Sequence, residues 1–331
     1  MKHRDLGKQG LNVSTLGLGT MGMSMAYGPP SDEEEGIKTI QHAYELGVNF
    51  FDTAELYGYG HGHNEKIVGS AVKGFRENVV LATKFGFDMT GEPLGSRFNS
   101  HPDNIRKVAE NSLRYLQTDY IDVFYQHILD PNIPIEEVAG TVGELIKEGK
   151  VKYFGLSNVG PETIRRAHAV TPVSVLQSEY SIFEREVEER TLPVLRELGI
   201  GLVPYAPLGR GFLTDAVKPA EEYAEDDFRR IDERWKGENF IYNLRATEQL
   251  KEMAVDKDIT VAQLALAWLL AQGEDIVPIP GSRSMTRVKQ NIGAANVKLE
   301  KADLNRINEI IPHGAAGGRF PAEIINNYTS D

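Results

Sequence analysis

The sequence predicts an α/β protein, a closed (β/α)8 TIM barrel with an N-terminal hairpin and a long loop after the seventh strand. Three observations predict it. Short apolar runs rich in Val, Ile, Phe and Tyr recur eight times along the 331 residues, each followed by polar or glycine-rich residues and then a helical pattern. The runs are mostly continuous rather than alternating, as in strands covered on both faces. The first run leads into GLGTMGMSMAYGPP, which has no G-x-G-x-x-G, the phosphate turn expected of the competing open, doubly wound sheet.

The elements follow in order. LGKQGLNVS (6–14) reads as a short hairpin that could plug the barrel bottom. The strand candidates are 14–19, 48–53, 79–84, 120–127, 151–158, 174–180, 200–207 and 275–282. Between them, Ile135, Val138, Ala139, Val142, Leu145 and Ile146 recur at helical spacing, as do Ile105, Val108, Ala109, Leu113 and Leu116. Ser31 with Glu34 and Thr260 with Gln263 read as capping boxes. Gly47, Gly149 and Gly199 stand where helices should stop. The charged stretch 209–243 leaves the seventh strand at the end where a barrel keeps its site, and reads as a lid. With no repeat, linker or low-complexity tract, residues 1–331 read as one domain.

Composition narrows the function. Hydrophobic residues make up 41% and charged residues 25%, a globular balance, and the net charge is −12. That charge argues against nucleic acid or an anionic membrane as partner, since both want basic surface. The absence of cysteine excludes disulfides and thiolate metal sites, and the acid clusters SDEEE and EEYAEDD read as solvated helix starts, so no metal is expected. MKHRDLGKQG lacks the apolar core of a signal peptide, and VAQLALAWLLAQG is too short to span a bilayer. A soluble cytoplasmic protein is the expectation.

The strand ends carry the chemistry. In this fold the C-terminal ends of the strands converge on the site. Asp52 ends the second run with Tyr57 just beyond, Lys84 ends the third and His127 the fourth. Taken singly, each could be a turn cap, a loop aromatic, a snorkelling lysine or a core histidine. Together they make a proton donor aimed at a carbonyl oxygen. A phenol has a pKa near ~10, and a buried ammonium beside it should lower that value. A carboxylate keeps the ammonium charged, and an imidazole can donate to an oxygen on which negative charge develops.

These segments resemble the aldo-keto reductases, NAD(P)H-dependent carbonyl reductases on a (β/α)8 barrel. FFDTAELYG, LATKFG and VFYQH are similar to the segments bearing that family's Asp-Tyr-Lys-His tetrad, which maps onto Asp52, Tyr57, Lys84 and His127. GTMGMS, GENF and QLALAWLLAQG look most like the branch of perakine reductase and the pyridoxal reductases. The resemblance runs nearly end to end and implies Tyr57 as general acid, with the cofactor extended across the barrel mouth. By the same resemblance Ser157, Asn158 and Gln177 hold the nicotinamide carboxamide near Asp52, and Tyr205 stacks on the ring. Gly19, Thr20 and Met21 lie beneath ring and ribose, and Pro207, Leu208, Gly209, Arg210 and Gly211 run beside the pyrophosphate. The glycine-rich turn with an arginine suits a diphosphate.

PIPGSRS supplies Pro280, Gly281, Ser282 and Arg283, and Arg287 follows on the next helix. Two arginines and a serine at a helix N-terminus suit the 2′-phosphate that distinguishes NADP(H) from NAD(H). Gln290 and Asn291 match the adenine contacts, although many family members carry Glu at the first position. Met21, rather than the Trp of some branches, follows GLGT. Met21, Met23 and Tyr27 are expected to line one wall, and the C-terminal stretch to fold over the mouth with Arg319, Phe320 or Tyr328 near the pocket. An open, partly apolar pocket fits a small-molecule aldehyde or ketone with an aromatic or extended body, and an oligomer is compatible with the sequence. The alternative reading is a nicotinamide-cofactor-sensing regulatory subunit like the potassium-channel β subunits, which share the family's barrel. A phosphosugar-processing barrel is a further alternative, but it would lack adenine-side residues.

Overall fold

A computed structural model describes residues 1–90 and 97–320. Two short antiparallel strands open the chain, β1 (His3–Asp5) and β2 (Asn12–Ser14). Seven parallel strands follow in sequential order: β3 (Leu18–Gly19), β4 (Phe50–Asp52), β5 (Val80–Phe85), β6 (Ile121–Gln126), β7 (Val151–Ser157), β8 (Val173–Glu179) and β9 (Gly201–Tyr205). The helices between them are α1 (Glu33–Glu45), α2 (His63–Val72), α3 (Pro102–Leu116), α4 (Ile135–Lys147), α5 (Pro161–Val170) and α6 (Thr191–Leu198). After β9 come α7 (Gly237–Asp256), α8 (Val261–Ala271), α9 (Met285–Gly293) and α10 (Lys301–Ile310).

The eighth expected strand does not form a regular ladder. Residues 275–281 close the barrel through two isolated parallel bridges, Leu202 to Ile276 and Gly19 to Gly281. The reason lies in DIVPIPGS, where Pro278 and Pro280 carry no N–H to donate. The run still offers what it can: Val277 N–H reaches Leu202 O at 3.0 Å, and Pro278 O accepts from Gly17 N–H at 3.0 Å.

The hairpin forms as expected, with its arms starting at His3. Its turn fills the barrel bottom: Leu6, Leu11 and Val13 are buried with Phe50, Ala82, Val123, Val175, Val203 and Val277. Gly201 makes room for this plug, since a Cβ there would meet Leu6 at 2.8 Å. The strand period of two then sets the geometry of the site. Phe50, Ala82, Val175 and Val203 point inward as one layer, so Asp52, Lys84, Gln177 and Tyr205, two residues further on, point inward above it. The alternate residues Phe51, Leu81, Phe85 and Leu176 face the helices.

The helix signals hold with one correction. Thr260 and Gln263 form a capping box on α8, and Gly47, Gly149 and Gly199 adopt positive φ at the ends of α1, α4 and α6. On α1, however, the cap is Asp32, whose side chain accepts from Glu34 N–H and Glu35 N–H, rather than Ser31. The nearer carboxylate takes the cap because it is itself the first non-helical residue, followed directly by Glu33 at the helix start. The stretch 209–243 is not structureless. It contains four 3₁₀ turns and enters α7 at Gly237. No helix among the described residues is long and apolar enough to cross a membrane.

Candidate active site

The four strand-end residues meet at the C-terminal mouth. Asp52 ends β4, Lys84 is the penultimate residue of β5, His127 follows β6 directly, and Tyr57 sits on the loop after β4. Lys84 Nζ donates to Asp52 Oδ1, to Thr53 O at 2.8 Å and to Tyr57 Oη at 3.1 Å. Those three acceptors match the three N–H bonds of an ammonium. Asp52 Oδ2 accepts from Gln177 Nε2 across the barrel at 2.7 Å. Lys84 and Asp52 are nearly sealed from solvent, at 1% and 2% exposure. Burial pushes the Asp52 carboxyl up and the Lys84 ammonium down, and each holds the other back towards its charged form.

The donor direction follows from the lysine. An ammonium cannot accept, so Tyr57 Oη accepts from Lys84 and its own O–H is left to donate elsewhere. The phenol's acidity differs from the sequence expectation. Burial pushes Tyr57 well above its usual value, and Asp52 and Tyr205 push the same way. The lysine does not win because its charge is largely matched by Asp52. Tyr57 therefore rests as a protonated donor. His127 packs edge-on against Tyr57, with ring centroids 5.8 Å apart, and against Phe87 at 5.1 Å. Burial, then the Lys84 charge, holds its pKa well below the ordinary range, so the imidazole is neutral.

The other expected residues surround this centre. Asn158, at a left-handed φ of 54°, is held by its N–H to Gln177 O and by its Nδ2 to Ser157 Oγ at 2.9 Å. A non-glycine residue in that region is strained backbone, of the kind found at ligand sites. Tyr205 Oη donates to Asn158 Oδ1 at 3.1 Å, and its ring is partly exposed. Thr20 Oγ1 reaches Asp52 O at 2.8 Å and Asn64 Oδ1 at 2.5 Å, while Gly19 bridges Gly281. Met21 is partly exposed beside them. Met23 is not a wall of the mouth: it is buried with Leu18, Ile40 and Ile67 in the helical layer. A short 3₁₀ turn over Met21–Met23 rotates it away.

On the far side, Gly209–Gly211 forms a tight turn after Pro207 and Leu208, and among the described residues a Cβ on Gly211 would have only Arg229 Nη1 within reach, at 3.5 Å. Arg210 does not face outward. Its guanidinium is buried between Glu179 at 2.7 Å and Asp232, so its charge is already matched. Arg234 joins Glu179 at 2.7 Å and Glu184 at 2.5 Å. Glu179, the inward-facing last residue of β8, thus fastens the long post-β9 segment to the mouth. Arg283 donates to Pro29 O at 2.5 Å and to Tyr27 O, clasping the loop after β3. Ser284 caps α9 by accepting from Arg287 N–H, next to Ser282, and Arg287 and Gln290 are exposed while Asn291 is buried. Phe320 packs on the Arg319 and Arg210 guanidiniums. Tyr328 lies outside the described residues.

Sequence reasoning missed several members. Asn64 is fully buried and joins Thr20, Thr53 and Ser24, tying the loops after β3 and β4 together. Its signal, Asn-Glu at the start of an apolar helix, is too short to read alone. Glu179 lies in LQSEYS, a segment similar to the family's cofactor segments, but neither it nor Arg229 had a role of its own there.

The aldo/keto reductase profile matches residues 15–312. This chain belongs to the aldo/keto reductase family. It is 45% identical over 317 residues to the probable aldo-keto reductase 1 of Glycine max, covering 95% of this chain and 90% of that one. It is 42% identical over 315 residues to the aldo-keto reductase yakc [NADP(+)] of Schizosaccharomyces pombe, covering 93% and 92%. Among solved structures, the glycerol dehydrogenase AKR11B4 of Gluconobacter oxydans superposes with a TM-score of 0.85 at 29% identity, covering 97% of this chain and 98% of that one. The holo form of the aldo-keto reductase AKR11C1 of Bacillus halodurans gives 0.79 at 30%, covering 96% and 98%. Membership in this family carries carbonyl chemistry with a nicotinamide cofactor.

Proposed function

We propose that this chain is an NADPH-dependent carbonyl reductase acting on a small aldehyde or ketone, with Tyr57 as the proton donor. The observation that carries the reading is the Lys84 ammonium, paired with Asp52 and 3.1 Å from Tyr57 Oη at the barrel mouth. When bound, the dihydronicotinamide supplies a hydride to the carbonyl carbon. Tyr57 O–H transfers its proton to the carbonyl oxygen, which leaves an alcohol and a phenolate. Lys84 then stabilises that phenolate at short range, and the phenol recovers its proton from solvent. Neutral His127 donates one N–H to the carbonyl oxygen and orients it. Asp52 keeps Lys84 charged and in place.

The residues present fit the cofactor. Asn158 and Gln177 present amide groups at the mouth, Tyr205 offers a ring face, and a Cβ on Gly211 would meet Arg229 Nη1 at no less than ordinary contact, 3.5 Å. Ser282, Arg283, Arg287 and the α9 N-terminus would hold the 2′-phosphate, with Gln290 and Asn291 beside adenine. Arg210 would contribute its backbone turn rather than its charge. The name of the yakc relative, which carries NADP(+), supports the same choice. Residues 1–331 would then act as one catalytic domain, and the setting proposed for it is the cytoplasm. The test is a spectrophotometric screen of aldehydes and ketones with NADPH and NADH in parallel. Steady NADPH oxidation faster than NADH oxidation supports the reading; no turnover with any carbonyl, despite cofactor binding, overturns it in favour of a sensing role.

A further inference from the structure

Arg319 stands inside the site read as the nicotinamide seat. Its guanidinium donates to Asn158 Oδ1 and, at 2.7 Å, to Tyr205 Oη. Tyr205 Oη also donates to Asn158 Oδ1. A carbonyl oxygen has two lone pairs, and both are taken. An incoming carboxamide N–H could not use Asn158 Oδ1 until one donor left. Arg319 is the donor free to leave, because Tyr205 lies on β9 and Arg319 lies past α10 on the C-terminal segment.

Two observations show how the inward position could be given up. Among the described residues, Arg319 Nε is buried without a hydrogen bond, although Glu179 Oε2 lies 3.4 Å away. An exposed alternative also stands nearby, since Glu186 Oε2 is 3.9 Å from Nη1 and its side chain is 64% exposed. Losing the Arg319 side chain would not strand Glu179, which keeps Arg210 and Arg234. One tie of the segment does not depend on that side chain, because Arg210 Nη1 donates to the backbone Arg319 O at 2.9 Å, so displacement loosens the segment without releasing it.

We propose that Arg319 is a built-in competitor for the nicotinamide carboxamide seat, and that cofactor entry displaces it from Asn158 and Tyr205 towards Glu186. This rests on the cofactor reading above. A competitor that fills the seat most of the time lowers apparent affinity by the competent fraction, so its removal tightens binding. Arg319→Met keeps the length and removes the donors. Calorimetric titration should show it binding NADPH about tenfold more tightly than the wild type, with Arg319→Lys between the two. Glu186→Gln, an exposed change that should leave folding intact, should weaken binding about two- to threefold by removing the outer partner.

In the wild type, amide hydrogen exchange over 314–320 should rise when NADPH is added. The proposal is overturned if folded Arg319→Met binds NADPH no tighter than the wild type. It is equally overturned if exchange over that segment falls on binding, which would make Arg319 a clamp. If wild type and variant both fail to bind NADPH and NADH, the cofactor reading itself fails and takes the proposal with it. Binding by the wild type without tightening in the variant sinks the proposal alone.

Discussion

Replacing Lys84 with methionine removes the ammonium while keeping the chain length. Asp52, 2% exposed, would keep only the Gln177 amide at 2.7 Å as its side-chain partner among the described residues. Breaking a buried pair from one side costs about 3–5 kcal/mol, a large part of the ~5–15 kcal/mol that stabilises a typical protein. The protein can avoid most of that cost by protonating Asp52, whose carboxyl burial already pushes up and which Lys84 alone holds down by charge. A carboxyl with its folded pKa above its unfolded value binds its proton more tightly when folded. Its contribution is therefore present at low pH and lost as pH rises through the folded value. The Lys84→Met penalty should grow by about 1.4 kcal/mol per pH unit across that window, up to the full cost of the unpaired charge. Urea unfolding of wild type, Lys84→Met, Asp52→Asn and the double variant, between about pH 5 and pH 8, measures it. The double variant should be more stable than Lys84→Met at neutral pH, because its buried site carries no charge. A penalty independent of pH, or a double variant destabilised by the sum of the singles, would refute the buried ion pair.

Arg287→Ala should weaken NADPH about ten- to hundredfold, the worth of a charge-assisted contact, and leave NADH unchanged; equal losses for both would remove Arg287 from the 2′-phosphate. Glu55, buried and pushed from 4.5 to about 7 chiefly by burial and then by Glu65, binds its proton more tightly when folded. Its stabilisation, about 3 kcal/mol, is full below the unfolded pKa and fades as pH rises through about 7, so Glu55→Gln should flatten urea-measured stability in that interval. Burial raises Tyr57 well above its usual value, so the alkaline limb of kcat/KM for reduction should lie on the alkaline side of a free phenol's titration, and a limb near neutrality would point to another acid.

The barrel was legible because continuous apolar runs and helical spacing are local signals, and strand parity then carried Asp52, Lys84, Gln177 and Tyr205 to one inward face. The eighth strand was legible as an extended run but not as a ladder, since the two prolines act through donors that periodicity does not register. Side-chain partnership across distant segments was the part the sequence hid. Arg210 read as a phosphate ligand from its glycine-rich turn, but Glu179 and Asp232, 31 and 22 residues away, neutralise it. Arg319 was visible only as a neighbour of the pocket, because nothing local marks its contact with Asn158, 161 residues away. The direction of the Tyr57 shift was hidden for the same reason: it depends on how much of the Lys84 charge Asp52 takes and on how deeply the phenol is buried.

The claim on which the account turns is that the Tyr57 hydroxyl, gripped by Lys84, delivers the proton. Tyr57→Phe removes that oxygen and little else, and single-turnover reduction of a good carbonyl substrate, with NADPH affinity measured alongside, tests it directly. The expected result is unchanged NADPH binding with turnover reduced at least ~10²–10⁴-fold. Turnover close to wild type would contradict the account.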